Sequence, residues 1–200
     1  MSTRQCASGS AAGTAGRGLG GAGARTALFA GCLRGSVLVL GGAGLAHVAA
    51  ATGRTSEEAA RRRYGLSDSA LIEMGDFAGG VLKYLRRHPV PRLTLAGGFA
   101  KISKLAQGAL DLHSARSTIE IGRLADFLGG LGLPAEAIAL ARESRTALGV
   151  LEAAGARAPA LADLIAAQAR EVALATLSGG TAVDVLVTDR KGEIIGHAGP

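Results

Sequence analysis

The densest concentration of polar chemistry in the chain is Gly97-Gly98-Phe99-Ala100-Lys101-Ile102-Ser103-Lys104, followed closely by Asp111-Leu112-His113-Ser114-Ala115-Arg116. Paired glycines let a ligand come close to the backbone and leave N–H groups open at the start of a helix. Lys101 and Lys104 stand three apart, so on a helix both project from one face, and His113 and Arg116 repeat that spacing if their segment is helical. Cations gathered beside N–H donors suit an anionic ligand, a polycarboxylate above all. Thr52-Gly53-Arg54-Thr55-Ser56 adds three hydroxyls, a glycine and an arginine at an expected helix start, a second anion-friendly arrangement. Gly75-Asp76-Phe77 adds one carboxylate, which is read as a helix cap.

Each of these has a plainer reading beside it. Two lysines on one helical face are commonly solvated, Thr55 serves as a cap without any ligand, and His113 is equally a capping or core histidine. The candidate substrate- or cofactor-binding residues are Thr52, Gly53, Arg54, Thr55, Ser56, Asp76, Gly97, Gly98, Lys101, Lys104, His113, Ser114 and Arg116. No catalytic residue is assigned. No activated-serine motif, paired catalytic carboxylates or P-loop is visible. Both cysteines, Cys6 and Cys32, lie in the first 43 residues, and no close His/Asp/Glu cluster follows them, so a metal site is not expected.

These residues need a scaffold, and the hydrophobic pattern supplies one. Leu45 to Ala51 reads as a strand. A capping box of Thr55 and Glu58 then opens a helix that runs to about Tyr64 and is stopped by Gly65. Ala70 to Met74 reads as a second strand, with a continuous helix from Ser69 as the alternative. Asp76 caps a helix that ends at His88, before Pro89 and Pro91. Arg92 to Ala96 is the third strand, and a helix begins near Phe99. Further helices are expected at about 117–130, 135–153 and 160–177. Val183, Val185 and Val187 then alternate, and a turn at Asp189-Arg190-Lys191-Gly192 leads to a strand ending at His197, which together read as a C-terminal β-hairpin. Strands alternating with helices imply an α/β fold with a mainly parallel sheet flanked by helices. In such sheets ligands bind at the carboxyl ends of the strands, which is where the candidate loops fall.

The chain divides in two by composition. Residues 1–43 hold eleven glycines and four arginines and no acidic residue, leaving 18 basic against 16 acidic residues in 44–200. The formal charge of +6 is therefore concentrated in the first segment, and the near-neutral body gives little support to nucleic-acid binding. Residues 1–43 are read as a low-complexity Gly-rich N-terminus, disordered or translated out of frame, and residues 44–200 as the α/β domain. Two glycine patterns in this region, Gly18–Gly23 and Ser36–Gly44, resemble dinucleotide-binding loops but lack the strand-turn-helix context that such a site requires. The uncharged run from Gly35 to Gly53 is rich in Gly and Ala and carries His47, which makes it a weak membrane segment, so a cytoplasmic protein is expected.

The same motifs carry a family resemblance. Thr52-Gly53-Arg54-Thr55-Ser56-Glu57, Leu71-Ile72-Glu73-Met74-Gly75-Asp76-Phe77, Gly97-Gly98-Phe99-Ala100-Lys101-Ile102-Ser103-Lys104-Leu105-Ala106-Gln107-Gly108 and Asp111-Leu112-His113-Ser114 resemble the C-terminal half of the cobalt-precorrin-5B C(1)-methyltransferase family, over about residues 44–200. The resemblance implies methylation of a cobalt corrinoid at C1, in anaerobic cobalamin biosynthesis, with S-adenosylmethionine as methyl donor and a cobalt-precorrin as small-molecule substrate. The acetate and propionate side chains of that macrocycle match a cationic edge. Family members also carry an N-terminal half with a Gly-Thr-Thr-Gly-Thr-Cys-type motif that has no counterpart in this sequence, so the chain is expected to be truncated. Two other functions stay open: a non-catalytic binding module for an anionic polycarboxylate, and a nicotinamide-dependent oxidoreductase built on Leu38–Gly44.

Overall fold

The computed structural model describes residues 45–200. The readings that fall on residues 1–43, together with the glycine patterns ending at Gly44, lie outside the described residues.

Five strands form one sheet in the order β2-β1-β3-β4-β5. They are β1 (His47–Ala51), β2 (Leu71–Glu73), β3 (Arg92–Gly98), β4 (Ala182–Thr188) and β5 (Ile194–Ala198). The first four run parallel, and β5 returns antiparallel to β4 as the second arm of a hairpin. The expected α/β architecture and C-terminal hairpin are both present. The helices are α1 (Arg54–Tyr64), α2 (Ala78–Leu85), α3 (Phe99–Ala106), α4 (Ile121–Gly130), α5 (Ala135–Glu143), α6 (Ala147–Ala153) and α7 (Ala158–Leu177).

The sheet has two unequal faces. Val48 and Ala50 of β1, Leu93 and Leu95 of β3 and Val183, Val185 and Val187 of β4 point to one side. There they pack against Leu82 and Leu85 of α2, Ile102 and Leu105 of α3, and Leu161 and Ile165 of α7 in the main core. The other face is built from smaller side chains, with Ala49, Ala51, Ala96 and Leu186 packed against Ala60 of α1. Strands buried on both faces read as apolar runs rather than alternating ones, as β1 and β3 do.

At the amino ends of the strands the α1 face turns polar. Asp184, 1% exposed, receives two hydrogen bonds from Arg92, at 2.6 and 2.8 Å. Tyr64 donates to the same carboxylate at 3.4 Å, and His197 Nε2 lies 3.6 Å from it. His47 Nε2 lies 2.8 Å from Thr94 Oγ1, and the His47 ring meets Tyr64 edge-on. Burial alone pushes the Asp184 carboxyl up, but the hydrogen bonds and charge of Arg92, aided by His197, outweigh it and hold the carboxyl below its ordinary range. Burial, then the Arg92 charge, push the His47 imidazole below its ordinary value, with Asp184 pulling the other way.

Several local expectations are corrected. The capping box of Thr55 and Glu58 does not form. Gly53 is the N-cap, Arg54 and Thr55 already lie inside α1, and Ser56 Oγ folds back onto the Gly53 carbonyl at 2.8 Å. Asp76 does not cap α2, whose N-cap is Phe77 with no side-chain cap bond, because the Asp76 carboxylate is drawn to Lys101 instead. The segment 135–153 is two helices, since Ser144 takes an extended conformation and Thr146 caps a new helix by accepting from Gly149 N at 3.1 Å. The stretch before Ile121 is a loop, tied by Gln107 to both the N–H and the carbonyl of Glu120.

Candidate functional site

The order β2-β1-β3 places a topological switch between β1 and β3. The chain leaves β1 through α1 to reach β2 on one side, and the crossover from β2 through α2 returns it to β3 on the other. The helices that follow β1 and β3 therefore cover opposite faces of the sheet, which opens a crevice between the two carboxyl ends. A cleft of about 630 Å³ lies there. Its lining comes from the end of β1 and the start of α1 (Thr52, Gly53, Arg54, Thr55 and Ser56), from Gly98, Phe99, Ala100 and Lys101, and from Thr188, Asp189, Arg190 and Lys191 at the β4–β5 turn. Leu148 and Leu151 of α6 and Ile195 of β5 complete it.

The cleft is two-sided in chemistry. Phe99, Ala100, Leu148, Leu151 and Ile195 offer apolar surface, while Arg54, Lys101, Arg190 and Lys191 offer positive charge. The first N–H groups of α1 and α3 have no acceptor inside their helices, and both N-termini open at this edge, so their dipoles add to the positive field. Arg54 is paired with Glu58 at 3.2 Å on the solvent side, and Lys101 with Asp76 at 2.5 Å. The one acidic lining residue, Asp189, is engaged by the backbone N–H groups of Lys191 and Glu193, at 2.8 and 2.9 Å. The cleft therefore gathers cations and hydroxyls, a set that suits carboxylates.

Seven of the thirteen candidate residues line this cleft: Thr52, Gly53, Arg54, Thr55, Ser56, Gly98 and Lys101. Asp76 stands behind it as the partner of Lys101. Gly97 is packed inward; a Cβ there would lie 2.9 Å from Thr52 Cγ2 and 3.0 Å from Ile102 Cδ1, so internal packing accounts for this glycine. Lys104 does not share a face with Lys101 in the sense expected from the spacing. It is 8% exposed, and its Nζ donates to the Leu112 carbonyl at 2.9 Å, tying α3 to the loop that follows.

His113, Ser114 and Arg116 sit in that loop outside the cleft lining, and the segment is a turn rather than a helix. Arg116 pairs with Asp111 at 2.8 Å, and His113 Nδ1 accepts the Ala115 N–H. The loop docks on the far side of the Lys101–Asp76 pair through Leu112 N to Asp76 O, at 2.8 Å.

Phe99 and Ala100 stood within the quoted motif without being assigned. The Asp189–Gly192 turn is legible as a hairpin turn but not as part of the site, and nothing in the sequence marks Leu148, Leu151 or Ile195. One signal was available for the turn: a long amphipathic helix at 160–177 leading into an apolar strand is a crossover, which makes β4 a fourth parallel strand whose carboxyl end joins the same edge.

Comparison with known proteins bears directly on this edge. Residues 111–199 match the family described as CbiD, C-terminal domain. The chain is also similar to proteins named cobalt-precorrin-5B C(1)-methyltransferase. It is 50% identical over 156 residues to the one from Bradyrhizobium sp. (strain BTAi1), covering 78% of this chain and 42% of the relative. For the Paramagnetospirillum magneticum protein the figures are 51% over 155 residues, 78% and 43%. For the Rhodospirillum rubrum protein they are 50% over 168 residues, 84% and 47%.

The resemblance read from the motifs is borne out, and the chain spans less than half the length of these relatives. A stretch covering 78% of 200 residues necessarily includes residues 45–156, so the whole cleft lining falls within one match or the other. No solved structure matches the chain. Among the described residues no helix is long and apolar enough to cross a membrane.

Proposed function

We propose that this CbiD-type region binds the carboxylate-bearing edge of cobalt-precorrin-5B in the cleft between β1, β3 and β4, for methylation at C1 in the cytoplasm during anaerobic cobalamin biosynthesis. The observation that carries the reading is the identity of about half of the aligned positions to cobalt-precorrin-5B C(1)-methyltransferases, over a stretch that includes the cleft residues Thr52–Ser56, Gly98–Lys101, Leu148 and Leu151. The chemistry agrees with it. A corrinoid presents a flat apolar ring with carboxylates at its rim, and the cleft combines apolar side chains with cations and helix N-termini. A volume of about 630 Å³ is that of an ordinary small-molecule site and holds part of such a macrocycle.

S-adenosylmethionine is the proposed methyl donor, supplying a sulfonium methyl group for transfer to carbon. No residue of the cleft is assigned to holding it. No step of the transfer is assigned to a residue of this chain. Residues 44–200 are proposed as the unit that carries the corrinoid-binding edge.

A second reading rests on the chain spanning 42–47% of these relatives: a binding module that holds the corrinoid without methylating it. Incubating the chain with the cobalt-precorrin and S-adenosylmethionine labelled in the methyl group separates the two. Label in the corrinoid is the expected result for the methyltransferase. Saturable binding without label supports the module, and neither binding nor label overturns the corrinoid reading.

A further inference from the structure

The β4–β5 turn is held more firmly than its exposed position requires. The Asp189 carboxylate accepts the N–H groups of Lys191 and Glu193, and the Asp189 N–H bonds the Glu193 carbonyl at 2.9 Å. Gly192 has φ +85°, and a Cβ there would lie 2.9 Å from Thr55 Cγ2, so the turn lies directly on the first turn of α1. Arg62, two turns further along α1, donates to the Gly192 carbonyl at 2.9 Å. A closed turn clamped to a helix fixes the backbone of the two residues at its tip, Arg190 and Lys191.

Those two residues differ from the other cations of the cleft. Arg54 and Lys101 already have carboxylate partners. The side chains of Arg190 and Lys191 are exposed, line the cleft and have no ion-pair or hydrogen-bond partner among the described residues. The same cleft is lined by the apolar side chains of Phe99, Leu148 and Leu151. A ligand resting its apolar body on them brings anionic substituents to the turn.

We propose that Arg190 and Lys191 are the carboxylate-reading residues of this cleft, presented in a fixed position by the Asp189 turn and its Arg62 and Gly192 contacts with α1. The inference rests on the corrinoid-edge reading and deepens it by naming the groups that distinguish a polycarboxylate from its neutral counterpart. A guanidinium beside an ammonium supplies one bidentate fork and one point charge, enough to hold two neighbouring carboxylates. Placing both in advance on a clamped turn reduces the ordering cost of binding.

The test uses the whole chain and two probes, a cobalt(III) corrin polycarboxylic acid and its fully esterified form, followed by the visible absorption of the corrin. Wild type is expected to bind the acid more tightly than the ester. Arg190→Ala with Lys191→Ala is expected to weaken acid binding by about tenfold or more while leaving the ester unchanged. Arg190→Lys with Lys191→Arg should restore most of the preference. Arg62→Ala keeps both cations but loosens the turn, and is expected to weaken the acid alone, by a smaller factor. If wild type prefers the acid and the double alanine variant retains that preference in full, the assignment of the two residues is overturned while the corrinoid site stands. If wild type binds neither probe, the corrinoid reading falls and the inference with it.

Discussion

Two adjacent glycines of the same motif have different reasons to be there. Gly97 is enclosed by Thr52 and Ile102 of its own chain, whereas a Cβ on Gly98 would find only the Thr188 carbonyl oxygen, at 4.0 Å, on the open side of the cleft. Gly97→Ala is therefore expected to cost about 1–3 kcal/mol of folding stability by overpacking, read by urea denaturation. Gly98→Ala should cost less than about 1 kcal/mol, the difference between glycine and alanine at an N-cap. Its effect should instead appear in corrin polycarboxylate affinity, since a methyl group there stands where a ligand meets the α3 N-terminus. Equal losses of stability in the two variants would contradict this division. From sequence the pair reads as a single ligand-approach signal, because the register that brings β1 beside β3 is not visible in either segment alone. The same limitation affected Lys104: its spacing from Lys101 is legible, but the Leu112 carbonyl that buries it comes from a loop.

At the level of elements, the order of strands and helices was legible because each strand is a short apolar run closed by glycine or proline and each crossover helix carries its own apolar stripe. Helix boundaries were less so. Thr55 and Glu58 have the spacing of a capping box, yet the chain enters α1 directly from β1 through Gly53, so the cap falls two residues earlier. The break between α5 and α6 follows from the Thr146 cap and places Leu148 and Leu151 in the cleft wall, a consequence of tertiary packing that periodicity does not show.

The half-buried polar cluster around Asp184, joining β1, β3, β4, β5 and α1, gives a prediction at this scale. Its groups are His47, Tyr64, Arg92, Asp184 and His197. His47 is held below its ordinary value of 6.5, so folding favours the neutral ring. As pH falls below 6.5 the unfolded chain takes up that proton first and stability declines. Asp184 is held below 3.8, so its stabilisation is full above that value and is lost as pH falls further, through the folded-state value. Urea midpoints are thus expected to fall in two stages on acidification from pH 7.5. His47→Gln should remove the upper stage and leave the lower one. A flat profile between pH 7.5 and 5 in the wild type would contradict the placement of His47.

For the molecule as a whole, the sheet sorts two polar regions to opposite edges. The amino edge gathers groups that satisfy one another: Arg92 and Tyr64 both meet the Asp184 carboxylate. The carboxyl edge holds cations that have no partner among the described residues, Arg190 and Lys191, beside two helix N-termini and an apolar wall. Self-satisfied polar groups stabilise a fold, whereas unpaired ones at a topological switch are available to a ligand. This contrast supports the proposal that the function sits at the carboxyl edge.

The most direct test is to map binding residue by residue. A cobalt(III) corrin polycarboxylic acid titrated into the isotopically labelled chain should shift the backbone amide signals of Thr52–Ser56, Gly98–Lys101 and Thr188–Lys191 together and to saturation. Shifts confined to the amino edge around Asp184 and His197, or no saturable shift anywhere, would contradict the account.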